Sequence, residues 1–253
     1  MSLRRAAPLV VIVSSLLAWE AAARLIDTPF FPPLTTIAEH AVANWALLCQ
    51  EAFSTAKSTI FGLAIAVVAA GAIGIAMAAV PLAHSALMPI MVAAQVTPKI
   101  ALAPVVFLWV QDAGATKAVL AAVISFFPLI LAFDTGLRQS DRRMAELLSV
   151  LNATLRFRVF HVLLPSIAPW VLSALKLAVI YSLLGAITAE FLRPGSGLGD
   201  LIVKAEAQLK YPLMFAAVLT CTTLGFLGWG LAVFVERLFL RLLGMPRRED
   251  LYA

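Results

Sequence analysis

The chain has 253 residues, of which 62% are hydrophobic and 13% charged, with a formal net charge of +5. Soluble domains carry about 45–50% apolar and about 25% charged residues, so this composition excludes a soluble enzyme and defines an integral membrane protein. The apolar runs suit helices, whereas a barrel would need alternating segments of about ten residues. The expected fold is an all-α membrane domain, 1–253, with about six transmembrane helices.

The first apolar run, 8–24, follows Arg4 and Arg5. Its Ala21-Ala22-Ala23 stretch resembles a signal-peptide cleavage site, but Trp19 and Glu20 fit a first transmembrane helix better. Pro29, Pro32 and Pro33 then break the chain. Thr36 and Glu39 have capping-box spacing, and Ile37, Ala41, Trp45 and Leu48 recur at helical spacing. This predicts a helix over 36–53 lying in the outer interface with one apolar face.

The second span, 55–80, carries Gly62, Ala66, Ala70, Gly74 and Ala78 on every fourth position, a ladder of small residues that lets another helix approach closely. The third, 87–110, contains Pro89, Pro98 and Pro104, with Lys99 between the last two. Such a helix is irregular and belongs beside protein or a water-filled cavity. The fourth span, 117–137, contains Pro128; the fifth is 167–191 and the sixth 213–240.

Six spans place both termini on one side. Eleven of the nineteen Lys and Arg residues fall on that side, six on the other, and Lys99 and Lys176 within spans. The positive-inside rule therefore puts both termini and the long loop 138–165 in the cytoplasm. The same asymmetry explains the net charge without nucleic-acid binding.

Motifs for chemistry are missing from the sequence. It has no GxxxxGK[ST] phosphate loop, no nucleophile elbow and no metal-ligand spacing among His40, His84 and His161. Cys49 and Cys221 read as isolated thiols. No catalytic residue and no metal site is expected. Ionisable groups in or near spans take a functional reading by default. Lys99, beside Pro98 on the proline-broken span, either lines a translocation path or reaches back to the interface. Glu190, before the turn Arg193-Pro-Gly-Ser-Gly-Leu-Gly199, either gates or caps the outer end of its span or is an interfacial carboxylate.

The loop 138–165 is basic and amphipathic, and far longer than a connection needs. In it Glu146 is followed by Asn152 six residues on and Pro165 nineteen residues on. This pattern resembles the EAA loop of permeases of binding-protein-dependent ABC importers, a family with the MetI-like fold. The alanines usual after the Glu are Leu147 and Leu148 here, and the usual glycine is Asn152, the next-best residue for a left-handed turn. Thr154 can cap the helix that follows. Trp19-Glu-Ala-Ala-Ala-Arg24, Phe31-Pro-Pro-Leu-Thr35, Pro98-Lys-Ile-Ala-Leu-Ala-Pro104, Phe126-Phe-Pro128 and Ala189-Glu-Phe191 with Ser196-Gly-Leu-Gly199 are similar to the nitrate/sulfonate/taurine branch.

The resemblance implies a pathway formed by two permease chains in a bacterial inner membrane, either two copies of this chain, the default, or this chain with a different one. It also implies two ATPase subunits that bind ATP and Mg, none of which this chain binds, and an extracytoplasmic solute-binding protein. Arg142, Arg143, Glu146, Leu151, Asn152, Ala153, Thr154 and Phe157 become the residues expected to couple to the ATPase. The competing reading, an ion-gradient-driven secondary transporter, would favour internal repeats and midplane carboxylates, which the sequence does not offer. A membrane-embedded enzyme would need a catalytic constellation.

Overall fold

The computed structural model describes residues 2–139, 154–157 and 164–242. Among these the elements are helices and turns. They are α1 (Ser2–Ile26), α2 (Leu34–Ala43), α3 (Trp45–Ala79), α4 (Pro81–Val96), a 3-10 turn (Lys99–Leu102), α5 (Ala103–Trp109) and α6 (Ala113–Gln139). A single turn α7 (Leu155–Phe157) precedes α8 (Leu164–Leu192), α9 (Leu198–Ala207) and α10 (Tyr211–Leu242). Five of the helices are long and apolar enough to cross a membrane, and six if α4 and α5 count as one broken span.

The bundle is built on α6. Half of its apolar window is buried, against 6% of that of α1. Small residues make this possible. A Cβ on Gly62 of α3 would stand 2.4 Å from the Cβ of Ala121 on α6, and one on Gly185 of α8 would stand 2.7 Å from the Cα of the same alanine. Two helices thus grip α6 from two sides at one residue. Further along the ladder, Ala66 and Ala70 are fully buried in a core with Ala122, Leu129, Ile130 and Phe133 of α6, and Gly74 lies against the Phe133 ring. The ladder therefore faces protein; the side chain of Ala78 lies outside the described residues.

Three expectations need correction. First, the interfacial helix over 36–53 is two pieces. The chain turns at Asn44 (φ −109°, ψ 20°), whose side-chain amide holds the carbonyl of His40 at 2.8 Å. From Trp45 the helix runs unbroken to Ala79. Glu51, Ser54 and Thr55 are held by Gly197, Ser196 and Glu190 from elsewhere in the chain. Second, Thr36 and Glu39 do not form a capping box. Pro33 is the N-cap, and a carboxylate from α1 supplies the acceptor: Glu20 accepts the backbone N–H of Thr35 at 3.3 Å and its hydroxyl at 2.9 Å. Arg24 holds the same carboxylate at 2.8 Å, and Trp19 donates to the carbonyl of Pro32 at 3.2 Å while packing on Phe31 and Phe215. Third, the span over 87–110 is two helices meeting at 97°. Pro98 lacks an N–H and drives Thr97 into an extended conformation (ψ 129°), so the ladder of α4 stops there. Pro89 and Pro128 sit inside continuous helices.

Ala70→Leu is expected to overpack the α3–α6 contact and lower stability by roughly 1–3 kcal/mol. Val68→Leu, on the outward face of the same helix, is expected to be neutral. Thermal unfolding of both variants in detergent checks this; equal melting temperatures would show that the ladder is not a packing face.

Candidate functional site

At one end of the bundle a carboxylate is shut away from water. Glu190, 1% exposed, stands two residues before the end of α8. The hydroxyl of Thr55 lies 3.0 Å from both of its oxygens, and the N–H of Gly199 donates to Oε2 at 2.9 Å. Buried Lys117 of α6 places Nζ 3.9 Å from Oε1. A buried carboxylate is tolerated only with such donors and a counter-charge.

The loop after α8 is wrapped around this group. Gly197 has φ +110°, and a Cβ there would fall 2.0 Å from Oε1 of Glu190; one on Gly199 would fall 2.8 Å from the Cβ of Glu190. Only glycine fits at Gly197, on grounds of conformation and of space. Thr55 Oγ1 also accepts the N–H of Leu198 at 2.8 Å, Glu51 accepts that of Gly197, and Lys117 donates to the carbonyl of Ser196. Arg193 donates to the carbonyls of Val110 and Gln111 and to the hydroxyl of Thr116, joining the loop to the α5–α6 corner. Helix α9, which follows, had no counterpart among the sequence expectations. It packs Leu198, Leu201 and Ala205 against Ile37, Leu48 and Leu213.

Two further buried acids have partners that sequence reading missed. Asp134 meets His84 of α4 at 2.7 Å and Arg138 at 2.9 Å. Glu236 of α10 meets Lys176 of α8 at 2.9 Å and the hydroxyl of Ser173 at 2.8 Å. The Asp134–Arg138 spacing of four was a visible signal; the other pairings join distant helices and leave no local trace.

The broken span presents a different environment. Lys99 begins the 3-10 turn at the break, half-buried, beside exposed Pro98. Its Nζ donates to the carbonyl of Gln95 at 3.1 Å and sits 4.8 Å from the centroid of Phe127. It lines a cavity of about 360 Å³ with Gln95, Phe127, Pro128, Leu177 and Tyr181. Lys99, Pro98 and Glu190 were all candidates for a path. The structure separates them: Lys99 borders a cavity with Pro98 at the adjoining break, whereas Glu190 holds a loop closed.

Of the expected coupling residues, Arg142, Arg143, Glu146, Leu151, Asn152 and Ala153 lie outside the described residues. Thr154 does cap its helix: its hydroxyl accepts the N–H of Phe157 at 3.3 Å, and the Phe157 ring is 46% exposed. The helices on either side of the segment are joined to each other, since a Cβ on Gly136 of α6 would lie 3.0 Å from the side chain of Ile167 of α8.

The described residues form a multi-pass helical bundle with one broken span, a cavity at the break and a long segment between its two most tightly packed helices. Residues 62–241 match the family described as the binding-protein-dependent transport system inner membrane component, and the chain belongs to that family. It is a permease subunit of an ABC-type importer. It is 27% identical to the formylaminopyrimidine transport permease protein ThiX of Halalkalibacterium halodurans, over 92% of this chain and 94% of that protein. The riboflavin transport system permease protein RibX of Chloroflexus aurantiacus is 27% identical over 92% and 88%. The putative aliphatic sulfonates transport permease protein SsuC of Escherichia coli is 30% identical over 57% and 55%.

Glu190→Ala removes the counter-charge of buried Lys117 and is expected to cost roughly 3–5 kcal/mol. Gly197→Ala is expected to open the loop and expose buried Leu198 to thermolysin, while Gly195→Ala, where a Cβ meets nothing within 4 Å, should not. Melting temperatures and limited proteolysis in detergent read these effects; wild-type behaviour of both Glu190→Ala and Gly197→Ala would deny the cage.

Proposed function

We propose that this permease pairs with a second copy of itself in a bacterial inner membrane, with both termini and the 138–165 segment in the cytoplasm. A binding protein delivers a small organic solute to the opposite face. Two ATPase subunits, which hold ATP and Mg, dock on the 138–165 segments and shift the permease between inward-open and outward-open states.

The observation that carries the reading is the joining of α6 and α8 on both sides of the segment. Gly136 meets Ile167 next to it, and Gly185 meets Ala121 further along. A push on the segment would therefore move both helices as one body rather than bend one of them. Thr154, capping α7, gives the segment a fixed corner. The solute-binding face would be the end stiffened by the Glu190 loop, and Lys99 at the broken span would border the path.

Glu146→Ala is expected to weaken co-purification of the ATPase by at least about tenfold, the loss of a charge-assisted pair of roughly 2 kcal/mol. Asn152→Gly should be tolerated, because glycine accepts the same turn. Uptake in proteoliposomes and pull-down of the ATPase check both. Full ATP-driven uptake after deletion of 146–154 would refute docking at this segment.

A further inference from the structure

We infer that the cavity beside the Glu190 loop is a site for the headgroup of phosphatidylethanolamine, a lipid that stays bound and is not carried. The inference goes beyond the permease reading and does not depend on which solute crosses. The cavity measures about 490 Å³ and lies between α3, the start of α6 and the loop after α8. Lys57 and Asp112 both line it, with Ser54, Ser58 and Ser196. Among the described residues neither Lys57 nor Asp112 belongs to an ion pair. Asp112 accepts the N–H of Ala115 with Oδ1 at 2.7 Å, which leaves Oδ2 open. Ser54 and Ser196 share one hydrogen bond at 2.8 Å, so whichever accepts it keeps its own proton for an outside acceptor. The neighbouring cation, Lys117, is taken by Glu190 and Ser196.

Opposite charges that line one cavity without pairing suit a guest that carries both. A phosphate takes the ammonium of Lys57 and the spare serine hydroxyl, and an ammonium two carbons further on takes Asp112. A bare anion would set like charge against Asp112. The position selects a lipid over a free solute. Lys57 stands about 33 Å from Ala79, the end of α3, at 1.5 Å per residue, which matches a hydrocarbon layer about 30 Å thick. Asp112 immediately precedes α6. Both charges therefore sit at the depth of headgroups. One and two turns deeper on the Lys57 face come Phe61 and Ile65, which line the same cavity and are exposed. This apolar stripe continues the polar pocket into the layer, as acyl chains continue a headgroup. The cavity of Lys99 is lined by Phe127 and Pro128 of α6 rather than by its first turns, so a lipid here leaves it open. A lipid so placed ties α3 to α6 and to the loop that encloses Glu190.

The test is native mass spectrometry of the full chain in detergent, offered equal amounts of dioleoyl phosphatidylethanolamine, phosphatidylcholine and phosphatidylglycerol. Phosphatidylethanolamine should be retained at least about tenfold over each of the others, the margin of one charge-assisted hydrogen bond. A choline group has no N–H to give Asp112, and a glycerol headgroup has no positive charge. Asp112→Asn keeps a capping side chain on α6 and should lose the preference over phosphatidylglycerol. Lys57→Met should lower retention of phosphatidylethanolamine by the same factor, whereas Lys210→Met, outside the cavity, should not. Lys57 and Asp112 are both exposed, so the fold does not rest on either side chain. Equal retention of the three lipids, a preference for phosphatidylglycerol, or a phosphatidylethanolamine preference that survives either substitution would overturn the inference. So would displacement of the lipid by water-soluble phosphoethanolamine at equal concentration, which assigns the cavity to a free solute. Lipid on the monomer peak but absent from the dimer peak would overturn it too, by assigning the face to a second copy.

Discussion

The burial of the Glu190 carboxylate governs one whole end of the molecule. A carboxylate withdrawn from water needs donors on every side, and no single helix can supply them. Here they come from Thr55 of α3, Lys117 of α6 and the N–H of Gly199 at the start of α9. Four helices, α3, α6, α8 and α9, are therefore held in register by one group. Two partners have further bonds, Thr55 to Leu198 and Lys117 to Ser196, and Glu51 holds the N–H of Gly197 beside them. The network is fully satisfied, which is the condition under which a buried polar cluster specifies structure instead of weakening it.

The rest of the bundle divides between close packing and open space. Where α3 and α8 meet α6, glycine and alanine bring backbones within contact distance. Where α4 meets α5, proline keeps the backbone from closing and a cavity forms. A rigid pair of helices beside an interrupted one is a suitable arrangement for a transporter: the first transmits displacement and the second has loose backbone that can change shape.

The number of spans, the breaker at Pro98 and the small-residue ladder were legible in the sequence because each is a local, periodic or composition-based signal. The nature of residues 45–53 was not. The partners of Glu51, and of Ser54 and Thr55 just beyond this stretch, lie more than 130 positions away. The same distance hid the role of Glu190, although its motif and the Ser196-Gly-Leu-Gly199 motif were both noticed: the glycines are required by the carboxylate they enclose. The tie between Trp19-Glu20 and Pro32-Thr35 spans a short stretch of chain, but it crosses the break between α1 and α2, where no periodic pattern marks it. Two motifs that stand out separately are two halves of one contact.

The order of the cage residues along the chain bears on biogenesis. During cotranslational insertion α3 and α6 enter the bilayer before α8. Thr55 and Lys117 are therefore already in the bilayer, Lys117 near the start of its helix where it can reach interfacial water, when the segment bearing Glu190 arrives. The carboxylate meets a waiting cation and hydroxyl at once, and the glycine loop that seals it emerges within the next nine residues. An acidic side chain that would oppose partition into lipid thus becomes the signal that the third of these helices has reached its correct depth.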